Sequence, residues 1–177
     1  MFIGLVTGVW VAGNLGWFDS LYRDSGPLWS VVAASAVIIV VGLLDDLIEL
    51  DWTAKMGGQL VAAWVLATGG IQIVSLPIGG ITVGSFGVSL AITVFIVVLV
   101  MNAVNFIDGL DGLAAGVVGI GTIAFFIYTY LLAQQTSPTN YFNLASLLSS
   151  IVIGMCVGFL PFNWHPAKIF MGDTGAL

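Results

Sequence analysis

Long apolar stretches alternate with short polar segments along the whole chain. A membrane-spanning helix needs about 17–25 mostly apolar residues. Residues 71–86 alternate apolar and polar positions around Gly-Gly and Pro, which predicts a short β-hairpin or an interfacial loop. The pattern predicts an all-α polytopic membrane protein with about six transmembrane helices, in a single domain over 1–177. The predicted spans are 1–17, 28–44, 58–74, 87–105, 113–133 and 144–161.

The composition supports a bilayer as the solvent. Hydrophobic residues make up 59% of the 177 positions, the mean hydropathy is +1.13, and only 7% of the residues are charged. An ordinary soluble domain has about 25% charged residues. The net charge of −6 argues against nucleic-acid binding, which needs basic patches. The single cysteine, Cys156, excludes an internal disulfide.

Three polar segments, which we call the first, second and third acidic segments, interrupt the apolar stretches. They are LLDDLIELDWTAK at 43–55, NFIDGLDG at 105–112 and NWHPAKIFMGDTG at 163–175, and they hold seven of the nine acids. Two predicted spans separate each segment from the next, so all three return to the same side of the membrane. Lys55 and Lys168 lie on that side and Arg23 on the other, which by the positive-inside rule makes this side cytoplasmic.

The acidic segments have the composition of a cation and phosphate site. Carboxylates at the end of a membrane helix are costly unless they are paired, hydrated or bound to a cation. Asp108 and Asp111 are three residues apart, so on a helix they share a face. Gly109 and Gly112 leave room for a close approach by a backbone or a phosphate. Hard oxygen ligands suit Mg²⁺, which usually takes one or two protein carboxylates and completes its octahedron with phosphates and waters.

The remaining aspartates exceed what one ion needs. Asp45 and Asp46 are adjacent, so they do not share a helix face; they either do different jobs or lie at a helix end. Asp173 stands between glycines in MGDTG, which predicts a tight turn. A solvated helix end and a common turn explain these features without function. The convergence of the acids on one side of the membrane favours function, with some carboxylates binding substrate or moving protons.

The same residues also allow alternative interpretations of their function. DDLIE resembles the aspartate-rich box of prenyl-chain synthases, although those boxes come in pairs and this chain has one. Intramembrane acids mark the path of an ion transporter, although these acids lie at span ends. His165, the only histidine, is either a solvated interfacial residue or a catalytic one. Asn102 and Asn105 could satisfy one another between helices.

The segments GLLDDLIELDWTAKMGGQL, NAVNFIDGLDGLAAG and PFNWHPAKIFMGDTGAL, in this order, resemble the polyprenyl-phosphate N-acetylhexosamine-1-phosphate transferases. This superfamily includes the phospho-N-acetylmuramoyl-pentapeptide transferases and the GlcNAc-1-phosphate transferases. The resemblance implies transfer of a sugar 1-phosphate from a UDP-sugar to a polyprenyl phosphate, with UMP as the second product. The third segment looks more like the GlcNAc branch, so UDP-GlcNAc is the expected donor and the muramoyl-pentapeptide substrate is the alternative.

The resemblance also implies roles for individual residues. Asp173 matches a Mg²⁺-binding aspartate, with Mn²⁺ as the alternative ion. Lys55 matches a basic residue that could contact a phosphate. In the aspartate pair, one member is a base or orienter for the lipid phosphate, and the resemblance does not say which. The expected catalytic residues are Asp45, Asp46, Asp108 and Asp111, and the expected substrate-binding residues are Lys55, Asn105, Asn163 and Phe170.

The resemblance further implies a setting for the chain. Members of the superfamily have about ten or eleven spans and roughly twice this length, so we expect the chain to be a fragment of such an enzyme, part of a larger helix bundle. The expected location is a bacterial plasma membrane, with the active face cytoplasmic. The expected partners are the polyprenyl phosphate lipid, a UDP-N-acetylhexosamine and membrane lipid, without nucleic acid. The oligomeric state stays open, with a homodimer as one alternative.

Overall fold

The computed structural model describes residues 1–16, 18–74, 85–136, 143–172 and 175, which form seven α-helices and, within these ranges, no strand. The all-α prediction is therefore confirmed. Most of the predicted hairpin or loop at 71–86 lies outside the described residues, which resume at Ser85. The helices are α1 (Phe2–Asn14), α2 (Asp19–Arg23), α3 (Gly26–Ile48), α4 (Trp52–Thr68), α5 (Phe86–Ile107), α6 (Leu113–Thr136) and α7 (Leu144–Asn163).

Four helices among the described residues are long and apolar enough to span a membrane, as judged by length and composition: α3, α5, α6 and α7. The chain is thus a multi-pass membrane protein. The other two predicted spans form shorter helices, α1 of 13 residues and α4 of 17 residues. Helix α4 begins at Trp52 instead of residue 58 because Asp51 takes an extended N-cap conformation. It ends at Thr68 because Gly69 and Gly70 follow, and Gly70 adopts a φ of 101°.

The described residues divide into two compact units. The first unit comprises Met1–Leu28 and Ile107–Met171, and the second comprises Trp29–Phe106 and Gly172–Leu177. The expectation of one domain over 1–177 stays a prediction.

In the first unit, α7 packs against both α1 and α6. Its apolar core includes Leu5, Val9 and Leu147. Small residues bring the helices close: a Cβ added to Gly4 would lie 2.9 Å from the side chain of Met155. Helix α7 begins with a capping box, in which Asn143 Oδ1 accepts from Ser146 N–H and Ser146 Oγ accepts from Asn143 N–H.

In the second unit, small and polar residues join three helices. Ala34, Ile38 and Ala62 form a buried core between α3 and α4. The amide of Asn102 on α5 donates a 2.6 Å hydrogen bond to Gln59 on α4, and Gln59 is buried. Asn102 therefore satisfies its amide with a glutamine on the facing helix. Such polar links hold helices together in lipid, where no water competes for them.

Candidate active site

Helix α3 holds Asp45 in a buried position near its end, with both carboxylate oxygens engaged. Oδ2 lies 2.6 Å from Lys55 Nζ, and Oδ1 accepts a 2.9 Å hydrogen bond from Leu50 N–H. The side chain of Asp45 is 7% exposed and that of Lys55 is 32% exposed. Because these bonds reach from α3 across the connecting turn into the first turn of α4, Asp45 fixes the connection between the two helices.

Asp46 has different surroundings from its neighbour. Its side chain is exposed, and its carboxylate lies beside Gly172. A Cβ added to Gly172 would lie 3.5 Å from Asp46 Oδ2 and 3.6 Å from Oδ1. Gly172 adopts a φ of 63°, in the left-handed region that favours glycine. The first and third acidic segments therefore meet in the second unit. Asp173, the residue expected to bind metal, lies outside the described residues.

Asp108 and Asp111 lie in the turn between α5 and α6. Helix α5 ends at Ile107 and α6 begins at Leu113. Gly112, in the left-handed conformation with a φ of 74°, interrupts the helical path. The expectation that the two acids share a helix face is therefore wrong. In a turn, a spacing of three residues does not place two carboxylates on one face.

One oxygen of Asp111 binds the loop that follows α7. Asp111 Oδ2 accepts a 3.1 Å hydrogen bond from Ala167 N–H and lies 3.0 Å from His165 Nδ1. The side chain of Asp111 is 25% exposed, whereas that of His165 is 83% exposed. The second and third acidic segments therefore meet in the first unit.

These contacts lower the pKa of Asp111 below its ordinary value of 3.8. The hydrogen bond from Ala167 N–H is the largest cause, and His165 adds a hydrogen bond and a weaker charge attraction. Partial desolvation acts in the opposite direction. Because hydrogen bonds to the charged form favour it, Asp111 is ionised at neutral pH.

The amide of Asn163 makes a second link between the same turn and loop. Its Oδ1 accepts a 3.0 Å hydrogen bond from Gly112 N–H, and its Nδ2 donates a 2.9 Å bond to the Ile169 carbonyl. Asn163 is only 3% exposed. The Phe162 carbonyl in turn accepts bonds from Lys168 N–H and Ile169 N–H, which fold the loop back on the end of α7.

The other expected site residues lie at the same helix ends. Asn105 is in the last turn of α5 and Asp108 begins the following turn, both half-buried. Phe170 is exposed in the loop after α7. Within the described ranges, no group of three or more His, Cys, Asp or Glu side chains could hold a metal ion. The individual roles assigned to these residues stay predictions.

The sequence did not predict how His165 and backbone N–H groups contribute to the site. His165 contacts a carboxylate 54 positions earlier in the chain, and a local sequence motif gives no information about a contact over that separation. The N–H groups of Leu50, Gly112 and Ala167 likewise bind side chains of the acidic segments. The one available signal is that the third segment places a histidine next to a proline, directly after a helix that ends at a predicted site residue.

Comparison with known proteins identifies the family of this chain. The family model described as glycosyl transferase family 4 matches residues 28–177. A decaprenyl-phosphate N-acetylglucosaminephosphotransferase of Mycobacterium tuberculosis is 38% identical over 181 residues, covering 100% of this chain and 45% of the relative. A probable undecaprenyl-phosphate N-acetylglucosaminyl 1-phosphate transferase of Bacillus subtilis is 36% identical over 181 residues, covering 100% and 46%.

A phospho-N-acetylmuramoyl-pentapeptide-transferase of Halalkalibacterium halodurans is 38% identical over 151 residues, covering 78% of this chain and 44% of the relative. The chain thus spans a little under half the length of these three relatives. The family model includes all three acidic segments. The third segment contacts the second in the first unit and the first segment in the second unit. The chain belongs to glycosyl transferase family 4.

Proposed function

We propose that the protein transfers N-acetylglucosamine 1-phosphate from UDP-GlcNAc to a polyprenyl phosphate, giving polyprenyl-diphospho-GlcNAc and UMP. The observation that carries this proposal is the match along the whole chain to relatives named for N-acetylglucosamine phosphate transfer to decaprenyl or undecaprenyl phosphate. The reaction would begin the synthesis of a bacterial cell-wall or surface polysaccharide.

The position of the acidic residues suits two substrates of opposite solubility. Asp45 lies near the end of α3, and Asp111 lies in the turn between α5 and α6, both at ends of apolar helices. A polyprenyl phosphate carries its phosphate at the membrane surface, and a UDP-sugar arrives from water. We place this surface on the cytoplasmic side of a bacterial plasma membrane, where Lys55 and Lys168 would lie by the positive-inside rule.

The proposed reaction is a phosphoryl transfer with a balanced exchange of bonds. An oxygen of the lipid phosphate forms a bond to the sugar-bearing phosphorus of the UDP-sugar. The bond from that phosphorus to the bridging oxygen breaks, and its electron pair leaves with UMP. Protein catalysis of such a step consists mainly of positioning and electrostatic stabilisation.

Asp45 and Asp46 would have different roles in this reaction. Both oxygens of Asp45 are engaged, so it orients Lys55, whose ammonium group supplies positive charge for a phosphate. Asp46 is exposed beside Gly172 and is the member of the pair that faces the substrates. Phe170, exposed after α7, would stack on the uracil.

Mg²⁺ is the proposed cofactor, with Mn²⁺ as the alternative. The residues fit such an ion because the Asp46 carboxylate lies beside Gly172, the residue that precedes Asp173. Asp46 and Asp173 would hold it, within the one or two carboxylates that Mg²⁺ usually takes from a protein. When bound, the ion neutralises charge on the pyrophosphate.

The experiment is an assay of UMP release by membranes that contain the protein, supplied with UDP-GlcNAc, polyprenyl phosphate and MgCl₂. Asp46→Ala and Asp173→Ala should each lower UMP release by about 100-fold or more, because each removes a group that acts on developing charge. Glu49→Gln is the matched control, since it changes a nearby exposed acid with no proposed role. Wild-type release from Asp173→Ala would overturn the metal assignment.

The relative from Halalkalibacterium halodurans supports a second candidate donor, UDP-N-acetylmuramoyl-pentapeptide. The same assay separates the two donors when each is offered by itself, at the same concentration. UMP release from UDP-GlcNAc alone supports our proposal, and release from the pentapeptide donor alone supports the alternative. Release from neither donor, by protein shown to be folded, would overturn both.

A further inference from the structure

Asp111 and Asn163 connect the α5–α6 turn to the loop 164–169 in a way that the proposed reaction does not require. Asp111 Oδ2 accepts from Ala167 N–H and lies within hydrogen-bond distance of His165 Nδ1. Asn163 links Gly112 N–H to the Ile169 carbonyl. We call these four contacts the brace. All of its members lie in the first unit.

The brace holds a loop that already has an internal fold. The Phe162 carbonyl accepts hydrogen bonds from Lys168 N–H at 2.9 Å and Ile169 N–H at 3.2 Å. These two bonds set the curvature of the loop but leave its position relative to the α5–α6 turn undefined. Asp111 and Asn163 fix that position from outside the loop. Asp111 accepts a hydrogen bond from Ala167 N–H, and Asn163 donates one to the Ile169 carbonyl.

The loop leads directly to the residue that would bind the base of the donor. Phe170 follows Ile169, whose carbonyl is held by Asn163. Phe170 is exposed, so its own side-chain packing does little to hold it. The orientation of its ring therefore depends on the backbone that the brace holds.

We infer that Asp111 is a positioning residue that fixes the loop 164–169 and thereby orders Phe170 for a uridine nucleotide. This inference rests on the proposed function for its ligand, while the brace itself rests on the hydrogen bonds alone. Asp111 acts through Ala167 and His165, and its carboxylate takes no part in bond exchange. The two acids of the second segment then differ in role, since the inference concerns Asp111 and leaves Asp108 to the substrates.

The test combines hydrogen exchange with nucleotide binding in the full chain, reconstituted in lipid nanodiscs. In Asp111→Ala, exchange at Ala167 N–H should rise at least tenfold. The N–H of Lys168 is the internal control, because it binds the Phe162 carbonyl and should stay protected if the loop keeps its own fold. UMP affinity, measured by calorimetry, should fall at least fivefold in the same variant.

Two further variants make the result independent of one substitution. Asp111→Asn keeps an acceptor oxygen for Ala167 N–H but removes the charge, so both effects should be smaller than in Asp111→Ala. His165→Ala keeps the bond to Ala167 and should lower UMP affinity by no more than about threefold. Asp51→Ala is the matched control: Asp51 is also an acid between two helices, but its side chain accepts a hydrogen bond from Thr53 in the first turn of α4. It should leave Ala167 exchange unchanged.

Each outcome decides the inference. Unchanged Ala167 exchange in Asp111→Ala would overturn the brace. Raised exchange with unchanged UMP affinity would overturn the positioning role, because the loop would then be held without consequence for the nucleotide. If wild-type protein binds no uridine nucleotide, the proposed function fails, while raised Ala167 exchange in Asp111→Ala would still establish the brace.

Discussion

Asp45 and Asp46 are neighbours in sequence with different surroundings, because successive residues of an α-helix point about 100° apart. Asp45 faces the turn to α4 and binds Lys55 and Leu50 N–H. Asp46 is exposed and lies beside Gly172. Two adjacent aspartates of one helix thus differ in burial and in neighbours.

Removal of the Lys55 charge should destabilise the connection between α3 and α4. Lys55→Met leaves the buried Asp45 carboxylate without its cation, at an expected cost of about 1–3 kcal/mol in unfolding free energy. The lower part of that range is expected because Lys55 is about one-third exposed and solvent screens the pair. Denaturation of the protein in detergent micelles measures the change.

The control for this prediction is Lys168→Met, which removes an exposed lysine and should change stability by less than about 0.5 kcal/mol. The double variant Asp45→Asn/Lys55→Met should lose less stability than the sum of the two single variants, with a coupling of roughly 0.5–3 kcal/mol. Strict additivity would show that the contact between Asp45 and Lys55 contributes nothing.

The brace at Asp111 should depend on pH only under acidic conditions. The folded-state pKa of Asp111 is lowered from its ordinary value of 3.8, mainly by the hydrogen bond from Ala167 N–H and then by His165, so the interaction is fully present above that ordinary value. It is lost as the pH falls through the folded pKa, when Asp111 becomes protonated. Exchange in the peptide 163–170, corrected for the intrinsic rate, should therefore show no loss of protection from Asp111 protonation above about pH 5 and should rise below about pH 4.

Two variants identify the group that titrates. Asp111→Asn has no carboxyl to protonate, so the acid-dependent rise should disappear. His165→Gln removes the imidazole that contacts Asp111, and the rise should persist because the bond from Ala167 N–H remains. A rise that survives in Asp111→Asn would belong to another group in the protein.

At the scale of elements, the apolar pattern was enough to predict most helices but not their ends. The span predicted at 144–161 corresponds to α7 (Leu144–Asn163), which an Asn–Ser capping box starts. The span predicted at 58–74 corresponds to α4 (Trp52–Thr68), because polar residues before position 58 continue the helix. Hydropathy reports which residues prefer lipid, whereas backbone caps and glycines decide where a helix begins and ends.

The adjacent glycines of α4 give a matched test of helix packing. A Cβ added to Gly58 would lie under 3.0 Å from both methyl groups of Val41 on α3, whereas a Cβ added to Gly57 would meet nothing within 4 Å. Gly58→Ala should therefore destabilise the protein by about 1–3 kcal/mol through overpacking. Gly57→Ala should stabilise it by up to about 1 kcal/mol, because alanine favours a helix interior over glycine.

Unfolding in detergent micelles compares the two glycine variants under identical conditions. The double variant Gly58→Ala/Val41→Ala should recover most of the lost packing, since it removes the methyl groups that the new Cβ would meet. Equal effects of Gly57→Ala and Gly58→Ala would contradict the close approach of α4 to α3 at this point.

At the scale of the whole molecule, the sequence was enough to predict which segments hold the candidate site residues, but not which groups of these segments contact one another. The third segment takes part in both units: Ala167 contacts Asp111 in the first, and Gly172 lies beside Asp46 in the second. Motif order and resemblance indicate which segments belong to a site. They do not report which carboxylate binds a backbone N–H, because that depends on turn geometry between residues distant in sequence.

The predicted topology places the first and third segments on the cytoplasmic side and the α2–α3 connection on the other. Labelling of single cysteines tests this prediction, after Cys156 is replaced by alanine. Glu49→Cys and Lys168→Cys should react with a membrane-impermeant maleimide only in inverted membrane vesicles, and Asp24→Cys should react only in right-side-out vesicles. All three positions are exposed, so access within the protein does not limit the reaction. Labelling of Glu49→Cys and Lys168→Cys from opposite sides would contradict the even number of crossings and, with it, a common surface for lipid phosphate and nucleotide.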